Sequence, residues 1–155
     1  PAVVKADCAT NTAAAAVTRL LDMGVEPFLI TSTLTSVLAQ RLVRRLCPSC
    51  RIPYVASPEM LKSIGADQGW AGHTFYHAGG CSECGGSGYR GRLAILELLP
   101  MDEGAARRVL DRAEAREIQK AAVEAGMRTM TMDGMQKAQA GLTTVEEILS
   151  VTRED

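Results

Sequence analysis

Aromatic side chains are scarce in this sequence. One Trp, three Tyr and two Phe make up 4% of 155 residues. Any core must therefore be aliphatic, and the hydrophobic fraction of 46% is enough to build one from Leu, Val, Ile, Ala and Met. An excess of charge is also missing. The 17 basic and 18 acidic residues leave a net charge of −1, so no global field favours nucleic acid or an anionic membrane. No apolar run approaches the roughly 20 residues of a membrane span. Residues 1–7 lack the long apolar stretch of a signal peptide. There is no starting methionine, which suggests a fragment of a longer chain. A phosphate-cradling Gly-x-x-x-x-Gly-Lys-Ser/Thr loop is absent as well. The nearest approach, GGSGYRGR at residues 85–92, lacks the lysine and opens no helix. It reads as a turn leading into a strand.

What is present is a set of five cysteines. Four form two pairs, Cys47-Pro-Ser-Cys50 and Cys81-Ser-Glu-Cys84, and Cys8 stands apart. An odd count with close pairing fits a reducing compartment better than a disulfide framework. The two-residue spacing lets two thiolates from one tight turn meet one centre, and two such turns complete a tetrahedral Cys₄ zinc site. The flanking Gly79, Gly80, Gly85 and Gly86 allow the positive φ values of a metal knuckle. The competing reading is a redox function, yet a redox Cys-x-x-Cys normally occurs once, at a helix start. His73 and His77 lie close to the second pair, but four thiolates already close a structural site. A surface or hydrogen-bonding role suits these histidines better.

Periodicity places the elements. Asn11 is the expected N-cap of a helix that stops at Gly24, and Glu26-Pro27 breaks the chain. Leu34, Val37, Leu38, Leu42 and Leu46 predict a second helix over residues 32–46, with Arg41, Arg44 and Arg45 on another face. That arginine stripe is either a solvated face or a contact with a neighbouring subunit or acidic partner. Residues 47–91 hold most of the 14 glycines. They read as loop and hairpin material around a short helix at 57–65, too irregular to bury a core and in need of a staple. Residues 92–99 predict a strand. Helices follow at 103–112, 114–125 and 131–140, and a last one begins with the capping-box spacing Thr143-x-x-Glu146. The methionines from Met127 to Met135 read as core filler, and Cys8 as a small buried residue.

Three separated blocks carry a resemblance. Residues 10–50, residues 81–92 with the following ILELLPMD, and residues 126–155 resemble, in order, the ATPases that assemble type II secretion pseudopili and type IV pili. Thr10-Asn11-Thr12-Ala13 and Ser36-Val37-Leu38-Ala39-Gln40-Arg41 lean towards the type II branch. The resemblance implies an α/β fold, the C-terminal part of a RecA-like ATPase domain. It divides the chain into a partial motor core (1–46), a Cys₄ zinc-binding element (47–91) and a strand plus C-terminal helical subdomain (92–155). It implies a structural zinc ion, and ATP with Mg²⁺ bound by the full-length protein. Thr10 and Asn11 would lie at the edge of the nucleotide site, next to Ala9, where the family carries histidine. The implied partners are other subunits of a homohexameric ring, contacted in part by the arginine stripe, and inner-membrane secretion-platform proteins. The implied location is the cytoplasmic side of that membrane, held there through proteins rather than by insertion. Two readings stand at this point: a motor fragment, which has no ATPase activity in isolation, and a free-standing zinc-binding adaptor.

Overall fold

The computed structural model describes residues 2–5 (as backbone), 12–63 and 66–152. Cys8, Ala9, Thr10 and Asn11 lie outside the described residues. In chain order the elements are β1 (Ala2–Lys5), α1 (Ala13–Asp22), α2 (Pro27–Thr33), β2 (Leu34–Leu46), β3 (Arg51–Val55), α3 (Pro58–Ser63), β4 (Thr74–Ala78), β5 (Tyr89–Pro100), α4 (Glu103–Leu110), α5 (Ala115–Glu124), α6 (Met130–Gln139) and α7 (Val145–Thr152). The architecture is mixed α/β. No helix among the described residues is long and apolar enough to cross a membrane.

Helix α1 starts where Thr12, in extended conformation, accepts the Ala15 N–H on its hydroxyl at 3.1 Å. It ends at Gly24, whose φ of +86° lets the chain leave the last turn. Pro27 does not simply break the chain. It occupies the first turn of α2, where its missing N–H costs nothing.

The expected helix over 32–46 is wrong. Only its first two residues end α2, and Leu34–Leu46 is a 13-residue strand. The leucine spacing misleads because two of those leucines are not core: Leu42 is 50% exposed and Leu38 half-buried. In the middle of the strand the buried residues are Val37, Ala39 and Val43, separated by even numbers as a strand requires, while the buried Leu34 and Leu46 at its ends depart from that alternation. The β-branched Thr35, Val37 and Val43 favour the same outcome.

Strands β1, β2 and β5 form one sheet in that order. β1 runs parallel to β2, with Val4 opposite Val37, and α1 and α2 make the crossover. β5 lies antiparallel to β2. The Met101 N–H donates to the Thr35 carbonyl near one end, and the Cys47 N–H to the Gly88 carbonyl near the other, both at 2.9 Å. β5 begins three residues earlier than expected and alternates strictly at its C-terminal end: Ile95, Glu97 and Leu99 are buried, Leu96 and Leu98 exposed.

The chain divides into two compact units, Pro1–Arg41 with Ile95–Asp133, and Leu42–Ala94 with Gly134–Arg153. In the first, α1 packs on α5, α5 on α4 and α4 on α2. Its core is aliphatic, as the composition requires, with Val17, Ile30, Val37, Ile95, Leu99 and Ile118 buried. In the second, β3 and β4 form an antiparallel hairpin with Tyr54 opposite Phe75. This segment buries a core after all. Phe75, Leu61 and Ala56 are at most 2% exposed, and the Tyr54 and Trp70 rings lie 6.2 and 6.0 Å from Phe75. The correction has a plain cause: five of the six aromatics fall between residues 54 and 89, and a few large rings fill a space that many aliphatics would otherwise need. α7 packs over Gly134 of α6, where a Cβ would come within 2.7 Å of Ile148. Its cap lies one residue later than expected: the Thr144 hydroxyl accepts the Glu147 N–H, while Thr143 donates to the Arg44 carbonyl.

Candidate metal centre

Two tight turns place the paired cysteines. Cys47 directly follows β2, fully buried, and Cys50 comes after a turn closed by its own N–H on the Cys47 carbonyl. Cys81 precedes and Cys84 ends a single 3₁₀ turn at Ser82–Cys84, closed by the Cys84 N–H on the Cys81 carbonyl. The middles of the two turns are tied together by the Ser49 hydroxyl, which donates to the Glu83 carboxylate at 2.7 Å. Gly88 must be glycine: its φ is +74°, and a Cβ would sit 2.6 Å from the Ala78 Cβ.

The four sulfurs lie within 4.8 Å of one another, all as free cysteines. Three separations are 3.9 Å for Cys47–Cys81, 3.8 Å for Cys50–Cys84 and 3.7 Å for Cys81–Cys84. A tetrahedron with metal–sulfur bonds of about 2.3 Å has edges of about 3.8 Å. The spacing therefore suits a four-coordinate metal ion. It is far too long for disulfides.

Backbone donors complete the surroundings. The Gly80 N–H points at the Cys50 sulfur (3.3 Å), and the N–H groups of Cys81 and Gly88 both point at the Cys84 sulfur (3.2 Å each). Such donors favour a thiolate and orient a ligand. The Cys81 N–H leads in lowering the Cys84 pKa to about 6. Loss of solvent around Cys50 pushes its thiol up to about 12. Four sulfurs this close cannot all ionise without a cation between them, so metal binding and deprotonation go together.

Other residues singled out by sequence are placed elsewhere. His73 meets the Gln139 amide at 2.6 Å, and His77 stacks on Tyr54 at 3.9 Å with Glu146 at 3.8 Å. Arg44 is not a free stripe residue. Its guanidinium grips Glu147 from Nε (3.0 Å) and Nη2 (2.6 Å), its N–H donates to the same carboxylate, and it stacks over Tyr89 at 4.1 Å. Arg45 is exposed and Arg41 half-buried. The sequence reading passed over one residue with a demanding environment, Glu97, 1% exposed. The signal was available: a glutamate sits between leucines in ILELL, on the face that alternation turns inward.

Comparison with known proteins adds independent findings. A family model described as "Type II/IV secretion system protein" matches residues 4–150. The chain is 48% identical over 147 residues to type II secretion system protein E of Dickeya dadantii, covering 94% of this chain and 28% of that protein. It is 45% identical over 146 residues to the type IV pilus assembly ATPase PilB of Thermus thermophilus, covering 94% and 16%. It is 44% identical over 145 residues to the type II secretion system ATPase E of Vibrio cholerae, covering 94% and 28%. The chain thus spans less than a third of the length of these relatives.

Proposed function

The chain belongs to the type II/IV secretion system protein family, and on that premise we propose that it is the C-terminal part of a hexameric motor ATPase that powers pseudopilus assembly in type II secretion. The observation that carries this reading is the similarity to relatives named type II secretion system protein E, which spans 94% of the chain. The 45% identity to a type IV pilus assembly ATPase supports a second reading, the same part played in a pilus motor.

In this reading residues 1–46 belong to a RecA-like motor core, 47–91 form the metal element, and 92–155 supply the strand and the C-terminal helices. Cys47, Cys50, Cys81 and Cys84 hold one Zn²⁺. The ion is structural, since four sulfurs leave no open position for a substrate. Thr10 and Asn11 stand at the edge of a site for ATP and Mg²⁺ supplied mainly by the rest of the full-length protein. The exposed Arg45, with Arg41, contacts a neighbouring subunit, where arginine suits carboxylate partners. The motor sits at the cytoplasmic face of the inner membrane, held there by secretion-platform proteins.

Measuring ATP turnover by the full-length protein and by residues 1–155 tests the proposal. Turnover by the full-length protein, with none by the fragment, is the expected result. Phosphoryl transfer needs a phosphate-cradling loop and its lysine, and this sequence has neither. Turnover by the purified fragment, or its absence from the intact protein with Mg²⁺, would overturn it.

A further inference from the structure

Glu97 is the one charged residue among the buried side chains described. Alternation along β5 turns it inward, and its two oxygens are used separately. Oε1 accepts the Ala13 N–H at 2.9 Å, and Oε2 accepts the Met130 N–H at 3.1 Å. These are the first residues of α1 and α6. The two helix starts are otherwise built alike. The Thr12 hydroxyl takes the Ala15 N–H at 3.1 Å, and the Thr129 hydroxyl takes the Met132 N–H at 3.2 Å. One carboxylate therefore caps two helices, and both helix dipoles favour its negative charge.

The arrangement has a mechanical consequence. The carboxylate oxygens are fixed relative to each other, so the two helix starts are held by one rigid group. Displacing either start leaves a buried polar atom without its partner, which is disfavoured strongly enough for the other helix to follow. We propose that Glu97 couples the N-terminus of α1 to that of α6, so that a nucleotide-dependent shift at α1 is passed to α6. The proposal rests on the motor reading, which puts the edge of the nucleotide site just before α1. Glu97 is then a positioning residue, acting on the nucleotide only through α1.

Hydrogen exchange of the full-length protein, with and without a non-hydrolysable ATP analogue and Mg²⁺, tests it. In the wild type, amides of residues 13–16 and 130–133 should both change protection on nucleotide binding. Glu97→Gln is nearly isosteric, but its amide NH₂ faces one of the two N–H groups. It should keep the response at 13–16 and lose more than half of that at 130–133. Thr129→Ala loosens α6 without touching the shared carboxylate, so exchange should quicken in both states while the nucleotide-dependent difference survives. A merely structural cap predicts otherwise: α6 loosens in both variants, and neither changes how far it follows α1. An undiminished α6 response in Glu97→Gln would overturn the proposal. So would a wild-type response confined to α1, which decides the matter even if Glu97→Gln does not fold. A wild type that hydrolyses ATP with no response at either helix removes the coupling and leaves the motor reading standing. A wild type that binds no nucleotide removes both.

Discussion

At the scale of single residues, two buried or half-buried carboxylates organise their surroundings. Removing Glu97 leaves two buried N–H groups unmatched, at about 1–3 kcal/mol each. Glu97→Leu should therefore cost roughly 2–6 kcal/mol, read from urea unfolding. A loss below about 1 kcal/mol would mean that those groups find other partners. Glu147 behaves differently because its partner is charged. The hydrogen bond from Arg44 leads in holding the Glu147 carboxyl below its usual range. A carboxyl whose folded pKa lies below its unfolded one stabilises above the unfolded value, about 4.3 for Glu. That contribution is lost as pH falls through the lower folded value. Stability should thus decline on acidification below about pH 5, and Glu147→Gln should flatten that part of the profile. An unchanged acid limb in the variant would show that the pair contributes nothing measurable, as many exposed pairs do.

At the scale of elements, a metal ion held by Cys47, Cys50, Cys81 and Cys84, as proposed, would staple the turns that lead into β3 and out of β4. Cys81→Ser should loosen residues 47–91 while the first unit stays protected, as local hydrogen exchange would report. Because Phe75, Leu61 and Ala56 form a small core of their own, the hairpin should retain part of its protection. Uniform loss over the whole chain would argue against a separable element. How much was legible at this scale depended on which force decided each element. Capped, alanine-rich or glycine-terminated helices such as α1, α4, α5 and α6 were readable, because local chemistry sets their ends. β2 was not, because tertiary pairing with β1 and β5 overrides a leucine spacing that also fits a helix. The edge of β5 was equally invisible. Asp133 accepts the Leu96 N–H at 2.8 Å and Lys137 donates to the Ala94 carbonyl at 2.9 Å. Such side-chain cover of a strand edge depends on where α6 lies.

At the scale of the whole molecule, the cysteine spacing announced which four residues would meet, and their sulfurs do lie together. The two units could not be read from the order of segments, because each is assembled from stretches far apart in sequence. The aromatic clustering that gives the second unit its core was visible in the sequence, but its meaning needed the hairpin register. Metal analysis of the purified chain under reducing, chelator-free conditions tests whether these turns form one tetrahedral metal centre. The expected result is one zinc per chain with four sulfur ligands at about 2.3 Å by X-ray absorption. A stoichiometry near zero, or a first shell containing nitrogen or oxygen in place of sulfur, would contradict it.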